Sequence, residues 1–207
     1  GVYSINDESL NSKDEKKFSK MLMKEINKHD LILVIDYGHG LISDSMAKTI
    51  SKASSYMALN AQINAANVGY HSMRNYKNIN CVIINENEIR HEMRSKNEKI
   101  EFLMKKLSTS QNFKDLIVTR GKRGSILYNK KNNRINYCGA YAKTAIDKIG
   151  AGDAMLSIIS LCLKTGFNKE LALLIASLAG AQSVATIGNK KTINKTQILK
   201  SLETILK

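Results

Sequence analysis

Gly150, Ala151, Gly152 and Asp153 are the residues of this chain whose types and spacing best suit chemistry. They run directly into the apolar segment 154–163, so a tight small-residue turn opens a buried helix. The first N–H groups of a helix lack intrahelical partners and the helix dipole favours negative charge, so this turn suits a phosphate or a developing oxyanion. Glycine leaves the backbone open to close approach by a ligand. Asp153 falls in the first turn, where a carboxylate can take the proton of an attacking hydroxyl while the amides hold a transferring phosphoryl group. Taken alone, Gly-x-Gly-Asp is more often only a turn with a helix cap.

Three further groups stand at the ends of apolar runs. Asp36-Tyr37-Gly38-His39-Gly40 follows run 31–35, Asn85-x-x-Glu88 follows run 81–84, and Thr119-Arg120-Gly121-Lys122-Arg123-Gly124 follows run 116–118. Unbroken apolar runs of this length are the pattern of parallel strands buried on both faces, and ligands bind at the C-terminal edge of such sheets. Asn85 and Glu88 suit magnesium, which keeps much of its hydration shell and can be held through water. The same spacing also begins ordinary helices. The glycines of the 119–124 loop allow backbone approach to phosphates, and Arg120, Lys122 and Arg123 add charge, although such side chains in a turn are usually just solvated. A lone loop histidine such as His39 is more often solvated or hydrogen-bonded than catalytic.

The elements that must position these groups alternate along the chain. Ser12 with Glu15 has capping-box spacing, and Phe18, Met21, Leu22 and Ile26 then share a helical face. Ser43 begins a helix with Met46, Ala47 and Ile50 inward, and 56–59 is the next strand. Residues 60–69 are a run rich in amides, which suit a turn bonded to its own backbone. Ser95 with Glu98 restarts a helix carrying Ile100, Leu103, Met104 and Leu107. Strands 125–128 and 134–137 flank a polar hairpin tip at 129–133. Gly166 ends the motif helix, Asn168 caps an apolar one over 171–184, and Asn194 with Gln197 starts a last helix bearing Ile198, Leu199, Leu202, Ile205 and Leu206. The alternation predicts a three-layer α/β sandwich around a mostly parallel sheet.

The string Asp147-Lys148-Ile149-Gly150-Ala151-Gly152-Asp153 resembles the second signature, Asp-Thr-x-Gly-Ala-Gly-Asp, of the ribokinase-like carbohydrate kinases, the phosphofructokinase-B family, with Lys148 where threonine is usual. Asn85-x-x-Glu88 and Thr119-x-Gly121-x-x-Gly124 are similar to further landmarks of that family, in its order. Asp36-Tyr37-Gly38-His39-Gly40 resembles Asp-Tyr-x-Lys-Gly of the heptose-phosphate kinase branch, with His39 in place of lysine. The resemblance implies a ribokinase-like fold and ATP-dependent phosphorylation of a sugar or sugar phosphate hydroxyl. It makes Asp153 the general base and Gly150, Ala151 and Gly152 the anion hole. It assigns magnesium and phosphate to Asn85 and Glu88, and the nucleotide to Thr119, Gly121 and Gly124. The loop after the 171–184 helix would line the adenine pocket and a monovalent-cation site, with Ser183, Thr186 and Gly188 as candidates. Asp36 either meets the substrate or the magnesium surroundings, or ties down its turn. Nothing before Asp36 resembles the family's first signature or its β lid, so residues 1–207 are expected to be one kinase domain incomplete at its N-terminus. A homodimer and a nucleotidyltransferase domain in the full-length protein are compatible with that branch. Lys148 and the missing lid favour an alternative, a non-catalytic nucleotide-binding module of the same fold.

Composition narrows the classes. The chain has 207 residues, enough for one domain with a sizeable core. It opens on Gly1 instead of methionine, as a processed, cloned or truncated product would. Its charge is +14, from 32 basic and 18 acidic side chains scattered through every segment. Scattered charge attracts ATP and sugar phosphates more than it builds a nucleic-acid groove, and four phenylalanines without tryptophan supply few stacking platforms. Cys81, Cys138 and Cys162 show neither disulfide nor zinc spacing, which points to a reducing cytoplasm. The run 171–187 falls short of the ~20 mainly apolar residues of a membrane span.

Overall fold

The computed structural model describes residues 8–62, 72–142, 144–187 and 190–207, so most of the amide run (63–69) and Gly188 lie outside the described residues. Strands β1 (Leu31–Asp36), β2 (Tyr56–Ala61), β3 (Cys81–Asn85) and β4 (Asp115–Thr119) pair in parallel. The sheet continues antiparallel through β5 (Ser125–Asn129) and β6 (Arg134–Cys138), and the strands lie in chain order. Parallel neighbours need long crossovers, and helices supply them: α2 (Asp44–Ile50) between β1 and β2, α3 (Glu86–Glu92) and α4 (Ile100–Gln111) between β3 and β4. The last three strands are joined by short turns, which permit only antiparallel pairing.

Alternation along the strands builds two cores. Met57, Leu59, Val82, Ile84, Leu116, Val118, Ile126 and Tyr128 face one side, against Ile26 of α1 (Ser12–Ile26), Met46 and Ile50 of α2, and Leu103 and Met104 of α4. Ala58, Cys81, Ile83, Ile117 and Leu127 face the other, against Leu156 and Ile159 of α5 (Ala151–Lys164) and Leu173 and Ala176 of α6 (Lys169–Val184). The result is the expected three-layer sandwich. Gly180 lets α6 lie close on α5, because a Cβ there would fall 2.8 Å from Met155 Cγ. Ile198 of α7 (Lys195–Leu206) is buried with Leu178 and Ala179 of α6.

Several local expectations are corrected. Asn11, not Ser12, caps α1: its side chain accepts from the backbone N–H groups of Lys13 and Asp14 at 3.1 and 3.0 Å. Glu15 instead accepts from the Ser43 hydroxyl, tying α1 to the start of α2. Met21 is 58% exposed, and Met23 packs on the core in its place. The helix expected from Ser95 starts only at Ile100, after Lys99, without a side-chain cap. In α7, Leu199 and Leu206 face solvent. The caps at Ser43, Asn168 and Asn194 form as expected.

Candidate active site

β1 to β4 each bring a polar residue to the C-terminal edge of the sheet. Asp36 ends β1, Asn60 stands one residue before the end of β2, Asn85 ends β3 and Thr119 ends β4; Asn85 pairs with Thr119 in register. The start of α5 comes to the same edge. A Cβ added at Gly152 would lie 3.6 Å from Asn60 Nδ2.

Gly150 takes the left-handed conformation at φ +82°, which a residue with a side chain rarely adopts. Its carbonyl accepts from Ala154 N–H at 2.9 Å to begin α5, and no side chain caps the helix. α1, α2, α3, α6 and α7 are all capped by Asn or Ser side chains. α4 also lacks a side-chain cap, but among the described helices only α5 opens on a left-handed glycine, and its first N–H groups have no side-chain acceptor. The approach is fixed from behind: Ile146 and Asp147 N–H both donate to Val184 O at the end of α6, and Asp147 accepts from Ile149 N–H.

Asp153 stands in the first turn of α5. Its Oδ2 accepts from Tyr37 Oη at 3.3 Å, and its Oδ1 is buried without a hydrogen-bond partner. A buried, unpaired carboxylate oxygen is costly. Burial, and then the neighbouring carboxylate, push the Tyr37 phenol above its ordinary range, so it stays a neutral donor. Asn60, 5% exposed, has a second orphaned atom at this edge: its Nδ2 reaches Ile83 O at 3.4 Å, while Oδ1 is unpartnered.

Asp36 is buried and ties down its turn. Its Oδ1 accepts from Gly38 N–H at 2.9 Å and its Oδ2 from Tyr76 Oη at 2.6 Å. Burial and the Asp36 charge raise the Tyr76 phenol far above its usual range.

A cleft of about 620 Å³ lies between the start of α3 and the β4–β5 turn. Asn85, Glu88, Thr119 and Gly121 line it together with Glu86, His91, Arg120, Arg123 and Lys148. Asn85 and Glu88 form a reciprocal capping box, Glu88 N–H to Asn85 Oδ1 at 2.9 Å and Asn85 N–H to Glu88 Oε2 at 2.8 Å. Among the described residues, no three His, Cys, Asp or Glu side chains group as ligands for a metal ion. This donor set fits an ion that keeps its waters and its phosphates, not a full protein cage. Gly121, at φ +57°, has open space where a Cβ would stand. At Gly124, φ +78°, a Cβ would sit 2.0 Å from Cys138 O, so β6 is what demands glycine there. Ser183 is buried in the last turn of α6 and does not line the cleft; its carbonyl accepts from Thr186.

The sequence pointed to none of Tyr37, Tyr76, Asn60 or Glu86 individually. Asn60 and Tyr37 carried a signal, as polar or aromatic residues at strand ends, and Glu86 carried one in its i, i+4 spacing to Arg90. Tyr76 carried none, since its partner lies 40 residues away.

A family model described as pfkB family carbohydrate kinase matches residues 9–196. The bifunctional protein HldE of Koribacter versatilis is 23% identical over 190 residues, 89% of this chain and 38% of that protein. The HldE of Campylobacter concisus is 29% identical over 161 residues, 76% of this chain and 33% of its own length. An uncharacterized sugar kinase of Buchnera aphidicola is 37% identical over 91 residues, 44% of this chain and 29% of that protein. The chain thus spans little more than a third of these relatives at most. Among solved structures, Escherichia coli phosphofructokinase-2 in complex with potassium matches at a TM-score of 0.78 and 13% identity, over 96% of this chain and 64% of that one. Thermotoga maritima ribokinase matches at 0.69 and 18%, over 88% of this chain and 59% of its own. At these identities the structures establish the ribokinase-like fold alone.

Proposed function

The chain belongs to the pfkB family of carbohydrate kinases, and from that premise we propose that it carries the nucleotide-binding and catalytic half of an ATP-dependent kinase for a sugar or sugar phosphate hydroxyl. The observation that carries the proposal is Asp153 Oδ1, buried and unpartnered beside an α5 start that no side chain caps. In the proposed reaction the acceptor hydroxyl gives its proton to Asp153 as its oxygen bonds to the γ-phosphorus. The bond from that phosphorus to the bridging oxygen breaks, and ADP leaves. The N–H groups at Gly150, Ala151 and Gly152 face the phosphoryl oxygens; for such a loose transition state, positioning and charge are most of catalysis. Tyr37 donates to Oδ2, which leaves Oδ1 for the hydroxyl. Magnesium would supply charge neutralisation of the phosphates when bound, with Asn85 and Glu88 the residues to hold it through water. Thr119 and Gly121 line the nucleotide cleft; Gly124 sets the turn behind them, and Ser183 belongs to the proposed adenine and monovalent-cation region. Asp36 shapes the substrate side through its turn.

HldE relatives are bifunctional by name, which supports a second, nucleotidyltransferase domain in the full-length protein. A tetrameric form of E. coli phosphofructokinase-2 has this fold, which supports self-association. An ADP-release assay of the full-length protein with magnesium and a panel of sugars and sugar phosphates tests the proposal. Release that depends on one acceptor is the expected result. ATP binding with no acceptor-dependent release would favour the non-catalytic module.

A further inference from the structure

Glu86, the first residue of α3, is 8% exposed and gathers three guanidinium groups. Its Oε1 accepts from Arg90 Nε and Nη2 at 3.1 and 2.9 Å, and its Oε2 from Arg120 Nε at 3.1 Å and Arg123 Nη2 at 2.5 Å. Burial disfavours the charged carboxylate, but the hydrogen bonds from Arg90 and Arg120 and the charges of Arg123 and Arg120 outweigh it and hold its pKa low. One negative charge among three positive ones leaves a surplus that water or an anion must answer.

The three arginines are not equivalent. Arg90 is spent, because its Nη1 also donates to Lys96 O and Glu98 O, both at 3.0 Å. Arg120 gives Glu86 only its Nε and Arg123 only one Nη2, and among the described residues their guanidinium groups make no other hydrogen bond. Both line the 620 Å³ cleft, as does Lys148. A strut between α3 and the β4–β5 turn would need one arginine; a second one lining the cleft beside it suits a phosphate, which guanidinium groups bind in a fixed fork.

Building on the kinase reading above, we infer that Glu86 is a positioning residue that presets Arg120 and Arg123 as a clamp for the polyphosphate of the nucleotide. The clamp lines the same cleft as Lys148, with Asn85 and Thr119 of the strand ends. The phosphate could belong to the nucleotide or to a phosphorylated sugar; the cleft joins the loops after β3 and β4 and excludes the Asp36 turn, which favours the nucleotide.

Calorimetry on the 207-residue chain and on the full-length protein, with magnesium and ATP, ADP, adenosine or fructose 6-phosphate, tests the clamp. Arg120→Ala is expected to weaken ATP and ADP about tenfold or more, the usual scale for a charge-assisted bond, and to leave adenosine unchanged. Arg123→Ala, on a side chain 62% exposed and therefore safe for folding, should weaken them less and with the same selectivity. Glu86→Gln should lose less than Arg120→Ala, and adding it to an Arg120→Ala/Arg123→Ala variant should cost nothing more, because Glu86 acts through those two arginines. If the wild type binds ATP and both arginine variants keep its affinity within about twofold, the cluster is only a strut and the clamp is overturned. Loss of fructose 6-phosphate binding in place of nucleotide binding overturns it too. A wild type that binds no nucleotide overturns the kinase reading itself, and the clamp with it.

Discussion

At the residue scale, the arrangement turns on which atoms at the sheet edge are satisfied. Asp153 holds one oxygen to Tyr37 and keeps the other buried without a partner, an expense that a catalytic base justifies and a helix cap does not. Asp153→Asn in the full-length protein should lower turnover by about 100-fold or more and leave ATP affinity nearly unchanged. Near-normal turnover in an acceptor-dependent assay would reduce Asp153 to a cap. Glu88 is bound into the capping box with Asn85, but glutamine serves at that helix position as well. Glu88→Gln should therefore keep the melting temperature while raising the magnesium concentration needed for half-maximal activity. An unchanged half-saturation point would mean that Glu88 only starts the helix.

At the element scale, two glycines of one loop separate a structural demand from an open site. Both have positive φ, so alanine costs backbone strain of about 1–3 kcal/mol at either. At Gly124 the new Cβ also meets the Cys138 carbonyl of β6 at 2.0 Å, whereas at Gly121 it meets nothing within 4 Å. Gly124→Ala should thus lose clearly more than Gly121→Ala in thermal unfolding, at roughly 2–4 °C per kcal/mol for a chain of this size. Equal losses would show that the β5–β6 hairpin yields to the clash. Gly121→Ala, at a residue that lines the cleft, should in turn disturb nucleotide binding more than it disturbs the fold.

At the scale of the whole molecule, the chain spans 64% of E. coli phosphofructokinase-2 and little more than a third of its HldE relatives. On the proposed function these residues hold the nucleotide half, and closure over an acceptor is what orients it and excludes water. The 207 residues taken alone should bind ATP in calorimetry yet release ADP negligibly with any sugar, with activity appearing in the full-length protein. Brisk sugar-dependent turnover by the 207 residues would place the acceptor site within them. Much of this was legible without coordinates. Strands β2 to β4 were visible as apolar runs, because a strand buried on both faces needs no polar side chain; β1 reads the same way but lies at the edge of the described sheet with Leu33 39% exposed. The start of α5 was visible because the small-residue turn and the apolar helix after it are written in consecutive residues. What required the tertiary structure was pairing across distance. Tyr37 meets Asp153 from 116 residues away, and Glu86 meets Arg120 and Arg123 from 34 and 37 away. Sheet order and register decide those meetings, and a chain read one residue after another records a side chain's chemistry but not the neighbour that folding brings to it.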